Sequence, residues 1–416
     1  MRFLQLIAKN ILSLQKNKRN MKIAVLTSGI LPVPAVQGGA VENLIDYYLA
    51  YNDIHKLHDI TIYSCKCHET NYHPALKSVV NHYHYVDTSS FVAKIRKRLY
   101  LKKVGGNEFH HYSIEYFIEQ VLKHLRKQTY DLIIIENRPP FALKVSKVTD
   151  AKIIFHIHND KFTNELAYAE EICKAASLII NVSDYVTNAM KHIESANKKC
   201  ITIHNGIDID AFSRSKINNI TRESVGLKKE DFVLVFSGRL TREKGISELI
   251  DAIILLEKYN NIKLLVIGSS FYGNTNNENQ FIYSLKEKAE TVKGKILFTG
   301  FVPYKQIPDY LYISDVAVIP SNWEDPFPTT VLEAQAMGLP IISTKRGGIP
   351  EEVVKENAIL LETDEHFTHN LADSIFYLYQ HPDKLRSMSK ASLQRSKLFS
   401  KETYARQFFA ALEKIK

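Results

Sequence analysis

Short apolar runs, each passing into a polar turn and then a helical stretch, recur along the whole of this 416-residue chain. Ile23-Ala-Val-Leu-Thr27, Asp131-Leu-Ile-Ile-Ile135, Lys152-Ile-Ile-Phe155 and Phe232-Val-Leu-Val-Phe236 belong to the series, and further runs stand at 264–267, 296–299, 316–319, 341–343 and 358–361. Runs this short and this rich in Ile, Leu and Val mark strands buried on both faces, the condition of a parallel sheet covered by helices. Regular alternation of such strands with helices builds doubly wound α/β domains. The chain is too long for one ordinary core and suits two domains of about 200 residues each. The expected class is α/β, with two facing Rossmann-like domains and a cleft between them. Ligands of such sheets lie outside the carboxyl ends of the strands.

One turn at such an end is chemically specific. Strand Val316-Ala-Val-Ile319 runs into Ser321-Asn-Trp-Glu-Asp-Pro-Phe-Pro-Thr-Thr-Val-Leu-Glu333, and Val331, Leu332, Ala334 and Met337 then follow at helical spacing to a stop at Gly338-Leu-Pro340. The turn presents free N–H groups at a positive helix end, where a phosphate is favoured. Asp325 and Glu333 stand eight residues apart around that start, which would put Glu333 about two turns into the helix, on a face near the anion. A carboxylate beside a phosphate is not there for the phosphate, since like charges repel. Sugar or ribose hydroxyls are its natural partners, and the combination points to a sugar nucleotide. The bland alternative is a capped helix with acids near its first turn.

A second turn weighs against that alternative. Phe232–Phe236 leads into Ser237-Gly-Arg-Leu-Thr-Arg-Glu-Lys-Gly245 and then into Ile246, Leu249, Ile250, Ile253 and Ile254 at helical spacing. Arg239 offers a flat fork of donors and Lys244 a point charge, the pair suited to a diphosphate. Gly238 and Gly245 allow backbone to approach closely.

These strings resemble the signatures of retaining glycosyltransferases of family 4, which have the GT-B fold. Asp325-x-Phe327-x5-Glu333 is similar to E-x7-E, and Gly238 to Gly245 is similar to G-R-x4-K-G. The resemblance implies that Asp325 contacts the donor sugar, that Glu333 holds the nucleotide ribose, and that Arg239 and Lys244 stabilise the departing diphosphate. It also implies a donor-binding set of Phe327, Pro328, Thr329 and Thr330 at the phosphate turn, Val302 within Gly300-Phe-Val-Pro303 near the base, and Gly38 and Gly39 in the first-domain loop facing the phosphates. His158-Asn159 resembles the family's H-D or H-G, whose histidine points towards the donor sugar. His156 shares its side-chain direction on a strand of period two, so one of the two is a packing or orienting residue. His204-Asn-Gly-Ile-Asp-Ile-Asp-Ala-Phe212 resembles N-G-[IV]-D-x3-F, which leads into the second domain. The chain departs from the pattern with Asp325 where Glu is usual and Pro328 where Gly often stands, and Pro328 removes one N–H from the turn. Glu324, next door, is the other candidate for the first acid. Asp208-x-Asp210 spells a metal-binding D-x-D, but inside its string it reads as a structural turn. No metal and no cofactor beyond the nucleotide-sugar co-substrate are therefore expected.

Composition fits a globular chain, with 45% hydrophobic and 24% charged residues. Cys65, Cys67, Cys173 and Cys200 lack the spacing of a zinc or thioredoxin motif, which suits the reduced cytoplasm. No apolar run approaches eighteen residues, so no spanning helix is expected. The excess positive charge lies in the first half: residues 1–200 hold 27 basic and 18 acidic residues, and residues 201–416 hold 27 of each. Lys94, Arg96, Lys97, Arg98, Lys102 and Lys103 are interleaved with Ile95, Leu99 and Tyr100. Such a segment suits either an anionic membrane surface or plain solvent, and no recognition motif accompanies the charge to suggest nucleic acid.

The expected organisation is a basic N-terminal extension at 1–20, an acceptor-side domain at 21–205, a nucleotide-sugar domain at 206–395 and a C-terminal helix at 396–416, with the option of packing back on the first domain. The extension reads as a short membrane-surface helix or as an extended start; charges interrupt its apolar part, and no cleavage site follows. The expected enzyme is a cytoplasmic retaining hexosyltransferase, optionally peripheral on the inner membrane face. Its donor would be a UDP-sugar and its acceptor a glycan or lipid-linked glycan in surface-polysaccharide synthesis. A non-catalytic coat or scaffold protein on the same fold and a sugar-nucleotide epimerase stay open as alternatives.

Overall fold

The computed structural model describes residues 20–104, 112–214, 220–269 and 280–415, with residues 98–104 described by their backbone alone. Two sheets organise the chain. The first is formed by β1 (Lys22–Leu26), β2 (Asp59–Cys65), β3 (Asn81–Val86), β4 (Leu132–Glu136), β5 (Lys152–Ile157), β6 (Ala176–Asn181) and β7 (Cys200–Thr202). The second is formed by β8 (Phe232–Ser237), β9 (Ile262–Ile267), β10 (Ile296–Gly300), β11 (Val316–Ile319), β12 (Ile341–Thr344) and β13 (Ala358–Leu361). The strand orders are β3-β2-β1-β4-β5-β6-β7 and β10-β9-β8-β11-β12-β13, with parallel pairing throughout. Both orders reverse direction at one point, between β1 and β4 and between β8 and β11. Those switch points are where such sheets open a crevice for a ligand.

The helices that bear on the site are α1 (Ala40–His55), α2 (Phe91–Val104), α3 (Tyr112–Leu125), α4 (Asp184–Ala189), α5 (Ile246–Leu255), α6 (Thr329–Ala336), α7 (Ile349–Glu352), α8 (Pro382–Ser396) and α9 (Lys401–Leu412). Strand β1 shows why its sequence reads as unbroken apolar: Ile23 and Val25 pack with Leu44, Ile45 and Tyr48 of α1, whereas Ala24 and Leu26 pack with Phe117 and Val121 of α3. Neither face of the sheet is solvated there.

Helix α9, the last of the chain, returns to the first sheet's side of the molecule. Tyr404, Phe408, Phe409 and Leu412 join the cluster built by α1 and β1, and the Tyr48 and Phe408 rings stack at 4.4 Å. The outgoing and returning crossings lie side by side, with Ile207 N donating to Phe399 O at 2.8 Å and Lys401 N to Ile207 O at 2.8 Å. Asp208 belongs to this crossing: one carboxylate oxygen meets Lys401 Nζ at 2.7 Å and the other accepts from Ala211 N at 3.2 Å. Asp210 is exposed beside it, so the D-x-D string forms a tied turn.

The four cysteines are unpaired. Among the described residues no helix is long and apolar enough to cross a membrane. The extension at 1–20 lies, except for its last residue, outside the described residues.

Candidate active site

The second sheet supplies the charged half of the site. Between β8 and α5 the chain turns through Gly238 to Gly245, with Arg239 exposed at the rim. Gly245 has φ 69°, and a Cβ there would lie 1.8 Å from Pro320 O, so no side chain is tolerated. The turn after β8 is thereby pressed against the turn after β11. Asn322 N and Trp323 N donate to Glu243 O at 2.9 and 3.2 Å. The result is an ion pair between Lys244 and Asp325, whose side chain is 11% exposed. Glu324 is engaged elsewhere, accepting from Arg346 Nη1 at 2.7 Å and from Gly347 N at 2.6 Å. Of the two neighbouring acids, Asp325 is the one brought to the basic turn.

Helix α6 starts at Thr329 with Pro328 as its N-cap, so Glu333 stands just beyond the first turn rather than two turns in. Glu333 is buried, and its carboxyl bonds with Tyr304 and Thr329. Burial pushes its pKa up to about 7, against the lowering effect of those two hydrogen bonds. Tyr304 bonds in turn with Tyr47 of α1, so a polar chain runs from the first domain to the acid. Motif spacing gave no sign of either tyrosine.

The remaining donor-set residues divide by environment. Phe327 is buried, its ring stacked on His204 at 4.7 Å and its carbonyl accepting from Asn205 Nδ2 at 3.0 Å. Its side chain therefore packs the seam between the domains. Val302 is buried after β10, and Thr330 is half-buried beside Thr329. Gly38 and Gly39 precede α1, where Gly39 has φ 104° and a Cβ would fall 2.1 Å from Glu42 Oε2. Glu42, unmarked by any motif, is buried under this loop, and burial raises its pKa to about 7.

The first sheet contributes His158. Register pairs Glu136 on β4 with His156 on β5. Glu136 Oε2 lies 2.9 Å from His158 Nε2 and 3.0 Å from His156 Nδ1, while Tyr48 Oη donates to Oε1 at 2.9 Å. Burial alone would raise Glu136, but the two histidines outweigh it and hold the carboxyl at about 2. Burial, aided by His156, lowers His158 to about 4. The pair is thus a carboxylate and a neutral imidazole, with His158 Nε2–H donating to Glu136 and Nδ1 left as a buried acceptor without a protein partner. His156 is fully buried against Phe408 and Tyr404 of α9, the orienting member of the pair. Glu136, His156 and His158 are also the group whose ligand atoms, among the described residues, lie close enough to hold a metal ion. His158 Nε2 is the imidazole nitrogen of this group that makes a hydrogen bond to the carboxylate; His156 Nδ1 lies 3.0 Å from the same oxygen without hydrogen-bond geometry, and His156 Nε2 is buried without a protein partner.

The halves are joined beside the site. Glu351 on α7 accepts from Asp184 N and Tyr185 N at 2.7 Å each, in the first turn of α4, and its Oε2 lies 3.2 Å from His204 Nε2.

Two facing doubly wound sheets, with a basic turn and paired acids at the switch point of the second, define the GT-B fold. Comparison with known proteins agrees: the model described as "Glycosyltransferase Family 4" matches residues 58–211, and "Glycosyl transferases group 1" matches residues 218–395. The chain is 30% identical over 345 residues to the spore coat protein SA of Bacillus subtilis (strain 168), covering 80% of this chain and 83% of that protein. It is 26% identical over 382 residues to the putative glycosyltransferase YtcC of the same organism, covering 89% and 86%. Among solved structures, Anabaena HepE in complex with UDP superposes with a TM-score of 0.70 at 20% identity, over 94% of this chain and 99% of that one. The chain belongs to glycosyltransferase family 4 and is a glycosyltransferase.

Proposed function

We propose that the chain transfers a sugar from a UDP-sugar to a glycan or lipid-linked acceptor in cell-surface polysaccharide synthesis, retaining anomeric configuration and using no metal. The observation that carries this reading is the convergence of Lys244 on Asp325, beside buried Glu333, at the switch point of the second sheet. Lys244 and Arg239 neutralise the diphosphate as the bond to the sugar breaks, which removes the need for a cation. Glu333 accepts the ribose hydroxyls, and Asp325 and His158 position hydroxyls of the donor sugar. The acceptor oxygen forms its bond to the anomeric carbon on the face the phosphate leaves, and its proton passes to the departing phosphate oxygen. The UDP complex of the HepE structure supports uridine as the base.

On the acceptor side, α2 is read as a membrane contact. Lys94, Arg96 and Lys97 are exposed there, with Phe91, Val92 and Ile95 exposed among them. Apolar and basic side chains on one exposed surface suit the headgroup region of an anionic bilayer. The name of the spore coat relative supports a second reading, in which the fold serves a coat. A calorimetric screen of UDP-, GDP- and ADP-sugars with EDTA present tests the donor assignment. Tight binding of a UDP-sugar supports it, and preference for another base or dependence on a divalent ion overturns it.

A further inference from the structure

Strand β3 is an edge strand of the first sheet, and a groove of about 360 Å³ lies between its end and α3. Its polar lining includes His84 of β3, Asp87 and Ser90 of the following loop, Gln120, Lys123 and His124 of α3, where Lys123 Nζ donates to Gln120 Oε1 at 3.1 Å, and Lys127 just after α3. The balance is basic. Its one acid, Asp87, is turned to its own loop and accepts from Ser89 N and Oγ at 3.0 and 2.8 Å.

The basic side chains rest on a built floor. Tyr63 Oη lies 2.7 Å from His124 Nδ1 and 2.8 Å from Tyr130 Oη, which fixes the imidazole plane. The His84 ring stacks on it at 4.2 Å and 13°. Burial, and after it the neighbouring His124 ring, lowers the His84 pKa. An anion in the groove reverses that balance. A protonated His124 donates Nδ1–H to Tyr63 and keeps Nε2–H, directed away from Tyr63, for a ligand.

We propose that this groove is a phosphate subsite that takes the headgroup phosphate of an anionic lipid. The inference rests on the membrane reading of α2 given above. Lipid is favoured over a soluble phosphate ester because of what adjoins the groove. Tyr116 lines it, the Arg96 guanidinium of α2 lies 5.9 Å above the Tyr116 ring, and α2 exposes Phe91, Val92 and Ile95. Apolar side chains beside a phosphate site match the depth order of a bilayer interface.

The test uses the full chain in two assays. Co-sedimentation compares vesicles of phosphatidylcholine with vesicles that also contain phosphatidylglycerol, for the wild type, for Lys123→Gln/Lys127→Gln and for Lys94→Gln/Lys97→Gln. Imidazole C–H resonances of His84 and His124 are followed during titration with soluble glycerol phosphate. The expected result is that the groove variant weakens phosphatidylglycerol-dependent binding by roughly tenfold or more, and that glycerol phosphate moves both histidine resonances in the wild type only. If the α2 variant loses vesicle binding while the groove variant binds like the wild type, and glycerol phosphate moves neither histidine resonance in the wild type, the groove assignment is overturned and the membrane reading stands. A histidine response without any effect of the groove variant on vesicles overturns lipid as the source. Absence of vesicle binding in the wild type overturns both.

Discussion

The acids and bases of the cleft sit in different environments, and the tasks proposed for them differ accordingly. Arg239→Ala and Lys244→Ala are each expected to lower turnover by about a hundredfold or more, as loss of a transition-state charge partner does; steady-state kinetics on both variants checks this, and near-normal rates would remove them from the mechanism. Glu333→Gln is expected to weaken donor binding, whereas Asp325→Asn mainly lowers turnover. The raised pKa of Glu333 adds a sign. Ribose hydroxyls need a carboxylate acceptor, so the group must lose its proton when the donor binds. UDP-sugar affinity should therefore rise by up to roughly tenfold per pH unit below about 7 and level off above it. The slope should vanish in Glu333→Gln, and a flat profile in the wild type would contradict the ribose role. Glu136→Gln should leave the fold intact but lower kcat more than it raises KM, because the amide no longer dictates the His158 tautomer. Most of these residues could be read from the chain: Lys244, Asp325 and Glu333 stand at fixed spacing after strands. Glu136, Tyr47, Tyr48 and Tyr304 could not, because their roles arise from register and from contact across the cleft.

Helices and strands were legible where periodicity governs and illegible where a distant partner decides. The strands of the second sheet and β1, β4 and β5 of the first follow from runs such as Phe232–Phe236, whose side chains are buried on both faces, whereas β2, β3, β6 and β7 were not read from the chain, and β3, Asn81-His-Tyr-His-Tyr-Val86, is largely polar or aromatic and only partly buried. The start of α6 was less plain, since Pro328 can serve either as a turn residue or as an N-cap, and placing Glu333 two turns in misjudged it. Helix α9 carries apolar residues at helical spacing, but nothing local says that they meet α1, more than 350 residues away in sequence. That contact has a measurable consequence. Phe408 is fully buried between Tyr48 and His156, so Phe408→Ala should cost about 3–5 kcal/mol. Denaturant unfolding reads the loss. A change below about 1 kcal/mol would show that α9 is a loosely held appendage.

At the scale of the molecule, the two sheets meet where three kinds of contact cross: Glu351 on the first turn of α4, the Tyr47–Tyr304–Glu333 chain, and the paired crossings at Ile207 and Phe399. Two domains were legible from length and alternation. Their mutual placement was not, because single side chains from distant segments set it. In the proposed reaction this cleft cleaves a sugar nucleotide with protein charges alone. The most direct measurement is nucleotide release from UDP-sugars by purified protein in EDTA, with acceptor or with water, compared across the wild type, Arg239→Ala and Lys244→Ala. Release by the wild type is expected, unchanged by EDTA and cut about a hundredfold or more in both variants. Binding of the sugar nucleotide with no release, or release that appears only on adding a divalent cation, would contradict it.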